Sequence, residues 1–134
     1  MTRETRSIHI DLGLAESLFG QLDRATRRGR GIVRDSYGEG EQAAHDIVRA
    51  AGEAIGLEIS IDAIGNLTMT LPGRERHAPR ILIGSHLDSV PQGGNFDGAA
   101  GVVAGVCALA ALREAAFVPD YDIAVMGIRA EESS

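Results

Sequence analysis

Fifteen consecutive residues, Gly98 to Leu112, contain no charged side chain. Wound as a helix the stretch would be about 22 Å long, too short to span a bilayer. It is apolar almost all round, so the helix predicted from Gly98 to Ala115 has to be buried in the packing of a sheet. Strands are at hand on both sides. Arg80-Ile-Leu-Ile-Gly-Ser85 is a continuous apolar run bounded by loops, which suits a strand buried on both faces. After Pro119, the residues Ile123, Val125, Met126 and Ile128 predict a second buried strand. Strand, buried helix, strand is a βαβ unit, right-handed by the general rule. The expected fold class is α/β.

The upstream half reads as two helices and a strand pair. Residues 1–13 read as an irregular lead-in. Leu14, Leu18, Leu22 and Ala25 recur at helical spacing, with Phe19 beside them, and Asp11 or Gly13 can start that helix. The run from Arg27 to Gly31 ends it and reads as a solvated loop. A second helix is predicted from Glu39 to Ile55, with Ala43, Ala44, Ile47, Val48, Ala51 and Ile55 as its apolar stripe. Glu39 and Glu41 suit its N-terminal dipole, and Gly56 stops it. Leu57, Ile59 and Ile61 alternate with polar residues, Gly65-Asn66 turns the chain, and Leu67, Met69 and Leu71 alternate again. That pattern predicts an antiparallel pair with one wet face.

Composition narrows the function classes. Thirteen basic residues, all Arg, stand against nineteen acidic ones, for a net charge of −6. This balance argues against binding nucleic acid or an anionic membrane. The first residues are charged and lack the apolar run of a signal peptide. The single cysteine, Cys107, excludes an internal disulfide, fits a reducing cytoplasm and reads as a small core residue. The 134 residues allow one domain or part of one.

Polar groups collect where the apolar elements end. The first buried strand runs into His86, Leu87 and Asp88, the second into Glu131 and Glu132, and Asp97 lies in the Gly-rich loop that opens the buried helix. Ligands of open α/β sheets bind outside the carboxyl ends of the strands. Taken singly, His86 reads equally as a hydrogen-bonded loop residue, Asp97 as an N-cap and the glutamate pair as solvated loop. Together, several carboxylates and one imidazole at one sheet edge call for a cation. His86 and Asp88 are two residues apart and point the same way on an extended segment. The carboxylate can then hold one ring nitrogen while the other faces a metal. Glu131 and Glu132 are adjacent and project differently, so one can bind metal while its neighbour handles a proton. His9, His45 and His77 read as surface residues. A dinucleotide site does not fit, because the glycines at 93, 94, 98 and 101 have the wrong spacing and Asp97 would stand where a pyrophosphate should. A Ser85–His86 nucleophile pair fails because neighbours on a strand face opposite ways.

The run Gly84-Ser-His-Leu-Asp-Ser-Val-Pro-Gln-Gly-Gly-Asn-Phe-Asp-Gly-Ala-Ala-Gly-Val102 and the later Arg129-Ala-Glu-Glu-Ser133 closely resemble the co-catalytic zinc aminoacylase and carboxypeptidase superfamily. Within it they resemble the hydantoinase/carbamoylase branch, which includes N-carbamoyl-L-amino-acid hydrolases, ureidopropionases and allantoate amidohydrolases. The discriminating feature is the short interval from His86 to Asp97. Residues 34–41, 44–46, 56–58 and 65–67 also fit this branch.

The resemblance implies a three-layer α/β sandwich with a mainly parallel central sheet, of which residues 1–134 would be the N-terminal part of the catalytic domain. It implies that His86 ligates one metal, Asp97 bridges two, Glu132 ligates the second, Glu131 is the general base and Asp88 orients His86. A cis peptide is implied at Asp97–Gly98. Family members are longer and carry two further ligand histidines, a lid domain and a C-terminal return to the sheet; no histidine follows His86 here. The implied activity is hydrolysis of the C–N bond of a linear amide, an N-carbamoyl-L-amino acid or a ureide such as allantoate. Two divalent ions would serve it, zinc first, with manganese, cobalt or nickel also suited to the ligands. The substrate is a small molecule, and the implied assembly is a homodimer through the lid. The rival readings are an aminoacylase or peptidase of the same superfamily, and a non-catalytic α/β module retaining a relic site.

Overall fold

A computed structural model describes residues 7–132. Helix α1 (Leu12–Thr26) is capped by Asp11, whose carboxylate accepts the Leu14 N–H. Leu18 and Leu22 are its buried apolar positions, at the helical spacing the sequence shows, and Thr26 at its end is buried with them. The arginine run that follows is not plain loop. Arg27–Arg28 (β1) and Gly31–Ile32 (β2) pair as a very short antiparallel hairpin. Helix α2 spans Glu39–Ile55 and closes on Gly56 in the left-handed conformation, at φ 84°.

Strands β3 (Glu58–Ile61), β4 (Leu67–Leu71), β5 (Ile81–His86) and β6 (Ile123–Ile128) form one sheet in the order β3-β4-β6-β5. Helix α3 (Ala99–Glu114) connects β5 to β6, which are adjacent and parallel. The βαβ unit is therefore present. The described part of the sheet is mixed and does not by itself make a mainly parallel one: β3–β4 and β4–β6 are antiparallel. Among the strands of this sheet only β5–β6 is parallel, with one isolated parallel bridge, Glu75–Tyr121, outside it.

Two glycines show which face the helices cover. A Cβ on Gly52 of α2 would lie 2.6 Å from Met69 Sδ, and one on Gly105 of α3 would lie 2.6 Å from a methyl of Val125. Met69 and Val125 are register partners, so α2 and α3 lie on the same face. Helix α1 packs against both helices. Helices α2 and α3 thus cover one face of the sheet, with α1 packed on them, which is part of the three-layer α/β sandwich implied by the sequence. The core between the layers includes Leu22, Val48, Met69, Val102, Val106 and Val125, all fully buried.

Burial differs from the sequence reading at three places. All five residues of β4 are buried, so the strand has no wet face. It lies second in the sheet, flanked by β3 and β6. Strand β5, expected to be buried on both faces, is at the sheet edge, and Ile81, Leu82 and Ile83 are 53, 46 and 41% exposed. His45, expected at the surface, is 3% exposed. No helix among the described residues is long and apolar enough to cross a membrane.

Candidate metal centre

Because β5 and β6 run parallel in register, with His86 paired to Ile128, their carboxyl ends lie at one edge of the sheet. The backbone leaving β5 carries Asp88, and the backbone leaving β6 carries Glu131 and Glu132. Asp97 precedes Gly98, the N-cap of α3, at the same edge. The topology thus brings together the residues singled out from the sequence.

Asp88 is the hub. Its side chain is fully buried. Oδ1 accepts the Glu131 N–H at 3.1 Å and Oδ2 accepts the Glu132 N–H at 2.9 Å. Ser36 donates its hydroxyl to Oδ2 at 3.0 Å, and His86 Nδ1 lies 3.2 Å from Oδ1. The same ring nitrogen is 3.1 Å from the Asp88 carbonyl oxygen. Burial pushes the Asp88 pKa up, but hydrogen bonds from Glu132, Ser36 and Glu131 and the nearby His86 outweigh it and hold the carboxyl below its usual range.

With Nδ1 held by Asp88, His86 turns Nε2 toward Glu131, whose Oε2 is 3.6 Å away. One ligand atom each from His86, Glu131 and Glu132 can be chosen so that all three lie within 4.8 Å of one another. Asp97 does not fall inside that group but adjoins Glu132. The Glu132 pKa is raised, first by burial, then by hydrogen bonding to Asp97 and by the charges of Asp97 and Glu131, with His86 opposing. Carboxylates crowded until one resists ionisation, beside an imidazole with a free nitrogen, are a donor set that a divalent cation fits.

Gly98 lets the Asp97 loop close over His86. Its φ of 65° and ψ of −51° place it at the centre of a γ-turn, closed by the Ala99 N–H donating to the Asp97 carbonyl at 2.7 Å. A Cβ there would lie 2.5 Å from both Cε1 and Nδ1 of His86. The peptide geometry corrects one expectation: the described bonds, Asp97–Gly98 among them, are all trans.

Three residues that support this arrangement, Glu41, Ser36 and Arg34, are not among the candidate site residues of the sequence, and Glu41 reads there only as a match to the α2 dipole. Glu41, on the first turn of α2, is fully buried. It accepts the Tyr37 N–H at 2.7 Å, the Ala130 N–H at 2.9 Å and Arg129 Nη1 at 3.1 Å. It therefore fixes the chain just before the glutamate pair. Ser36 supports Asp88, and Arg34 lies behind Asp97. The signal that could have found them is the polar stretch 34–41, which lies just before and on the first turn of α2.

A family model described as peptidase family M28 matches residues 66–134. An N-carbamoyl-L-amino-acid amidohydrolase of Paenarthrobacter aurescens is 35% identical over 119 residues, covering 89% of this chain and 29% of that protein. An allantoate amidohydrolase of Bacillus subtilis is 34% identical over 104 residues, covering 78% of this chain and 25% of that protein. Among solved structures, a hydantoinase/carbamoylase family amidase from Burkholderia ambifaria superposes with a TM-score of 0.89 at 32% identity, over 95% of this chain and 32% of that one. The chain thus spans less than a third of the length of these curated relatives.

Proposed function

This chain belongs to peptidase family M28 and is similar to amidases of the hydantoinase/carbamoylase family, and from that premise we propose that it carries part of the active site of a metal-dependent amidohydrolase. The bond cleaved is the C–N bond of a linear amide, an N-carbamoyl-L-amino acid or a ureide such as allantoate. The observation that carries this reading is the Asp88 hub, which joins His86, Glu131 and Glu132 through one buried carboxylate.

His86, Asp97 and Glu132 would hold two divalent ions, zinc first, with manganese, cobalt or nickel as alternatives. When bound, such ions polarise a carbonyl and lower the pKa of water. Asp88 accepts the Nδ1 proton of His86 and leaves the Nε2 lone pair free as a ligand. Glu131, which is half exposed, takes a proton from the attacking water and passes it to the leaving nitrogen. Water oxygen bonds to the carbamoyl carbon, the C–N bond breaks, and the amine departs protonated. The carbamate left behind decomposes to carbon dioxide and ammonia.

A catalytic zinc ordinarily has three protein ligands and an open position. His86 with Asp97, and Asp97 with Glu132, supply two for each ion, so the remaining ligands come from outside these residues. In this reading residues 1–134 are the N-terminal part of a catalytic domain, and the protein is a homodimer joined through a lid domain. Buried, unpaired Cys107 suits a reducing cytoplasm.

The test is an assay of the purified full-length protein with N-carbamoyl-L-amino acids, allantoate, N-acetyl amino acids and dipeptides. Ammonia release from a carbamoyl or ureide substrate, lost on chelation and restored by zinc, is the expected result. Turnover of acyl or peptide substrates alone would favour an aminoacylase or peptidase. No turnover together with no metal uptake would favour a relic site.

A further inference from the structure

Arg34 is fully buried, the largest side chain to be so. It lies between the segment carrying Asp88 and the loop carrying Asp97. Its backbone is tied to the first: its N–H donates to Ser89 Oγ at 3.0 Å, and its carbonyl accepts the Ser89 N–H at 2.9 Å. Its guanidinium reaches the second. Nη2 donates to the carbonyls of Asn95 at 3.2 Å and Asp97 at 3.4 Å. Nε and Nη1 have no hydrogen-bond partner among the described residues. Burial lowers its pKa, and the charges of Asp97 and Asp88 oppose that shift.

Burying a cation with three of its five donors unpaired is costly, and an apolar side chain would fill the same volume without that cost. The fold therefore retains Arg34 for what it holds. Both carbonyls it binds point inward. With the backbone of Asp97 drawn in, its carboxyl is left on the exposed side, next to Glu132. The γ-turn at Gly98 starts from that same Asp97 carbonyl.

We propose that Arg34 is a positioning residue that sets the Asp97 carboxylate for metal binding by holding the carbonyls of Asn95 and Asp97 from beneath. This inference rests on the metal reading of the site given above. A lysine at this position would keep the buried charge, but its ammonium sits one bond closer to the backbone and falls short of the two carbonyls.

The experiment uses the purified full-length protein and zinc alone as the probe. R34M removes the cation and risks the fold, so R34K is the main variant. R34K should weaken the binding of one zinc by about tenfold. The double variant R34K/D97A should bind zinc no more weakly than D97A, since both changes remove the same ligand. Wild-type zinc affinity in R34K, or additive losses in the double variant, would overturn the proposal.

Amide hydrogen exchange in metal-free protein gives a second reading. The Ala99 N–H should exchange about tenfold faster in R34K, with the increase confined to residues 95–101. Unchanged exchange at Ala99, or an increase spread evenly over α3 and β6, would also overturn it. Should D97A leave zinc binding untouched, the metal reading fails, while the exchange comparison still decides the role of Arg34.

Discussion

Gly98 and His86 are packed so closely that a Cβ on the glycine would sit 2.5 Å from the imidazole ring. The contact is set by the positive φ of Gly98, which turns the Asp97 loop over the ring. Two conditions, a backbone open to few other residues and no space for a methyl group, therefore meet at one position. Gly98→Ala should displace either the loop or the imidazole. We expect a loss of about 2–3 kcal/mol of stability and zinc affinity at least tenfold weaker. Thermal unfolding and zinc titration check both. A fully stable Gly98→Ala protein with normal zinc affinity would mean that the loop lies elsewhere.

Asp88→Asn tests the hub. The asparagine amide can accept at one oxygen only, so its NH2 would face the Glu131 or Glu132 N–H, donor against donor. A buried, unsatisfied donor pair costs about 2–4 kcal/mol. Because the folded pKa of Asp88 is depressed, the wild-type carboxylate contributes stability above its unfolded pKa. That contribution is lost as pH falls through the folded value. The variant should lose stability at pH 7 and respond less to acidification below pH 4. Urea unfolding across that range measures both effects.

His45 predicts a second acid sensitivity, at higher pH. It packs against Gly127, where a Cβ would lie 3.5 Å from its Cε1, and neither ring nitrogen has a hydrogen-bond partner among the described residues. Burial and the charge of Arg129 lower its pKa to about 4, with Asp46 and Asp88 opposing. The unfolded chain takes up the proton below about pH 6.5, so acidification favours unfolding. Stability from the neutral ring is complete above that value and lost as pH falls toward 4, on the order of 3 kcal/mol in all. His45→Leu should flatten the stability profile between pH 7 and pH 4.5. An unchanged profile would show that the ring does not titrate there.

Local signals in the sequence were sufficient for the helices, because spacing, the Asp11 cap and the Gly56 stop are all short-range. They also brought His86, Asp88, Glu131 and Glu132 to one edge of the sheet, since the ends of two parallel neighbours must share an edge. What they missed depends on neighbours far along the chain. Ile81, Leu82 and Ile83 look like a doubly buried strand, yet among the described residues β5 has a partner on one side only. Thr68 and Thr70 suggest a wet face, but β4 lies between two strands and is buried throughout. His45 and Glu41 look like ordinary polar positions on an amphipathic helix. They turn inward because β6 and the backbone after it pass beneath α2, and no pattern within α2 records that.

The division of labour between Glu131 and Glu132 is the centre of the account, and its geometry is finely balanced: Glu131 Oε2 lies 3.6 Å from His86 Nε2, close enough to be a ligand itself. The most direct measurement is zinc binding by the full-length Glu131→Gln variant, read with its turnover of an N-carbamoyl-L-amino acid. A general base that is not a ligand predicts turnover reduced by about a thousandfold or more, with zinc bound as in the wild type. Glu132→Gln should lose zinc as well. Zinc lost equally from both variants, or turnover surviving in Glu131→Gln, would contradict the assignment.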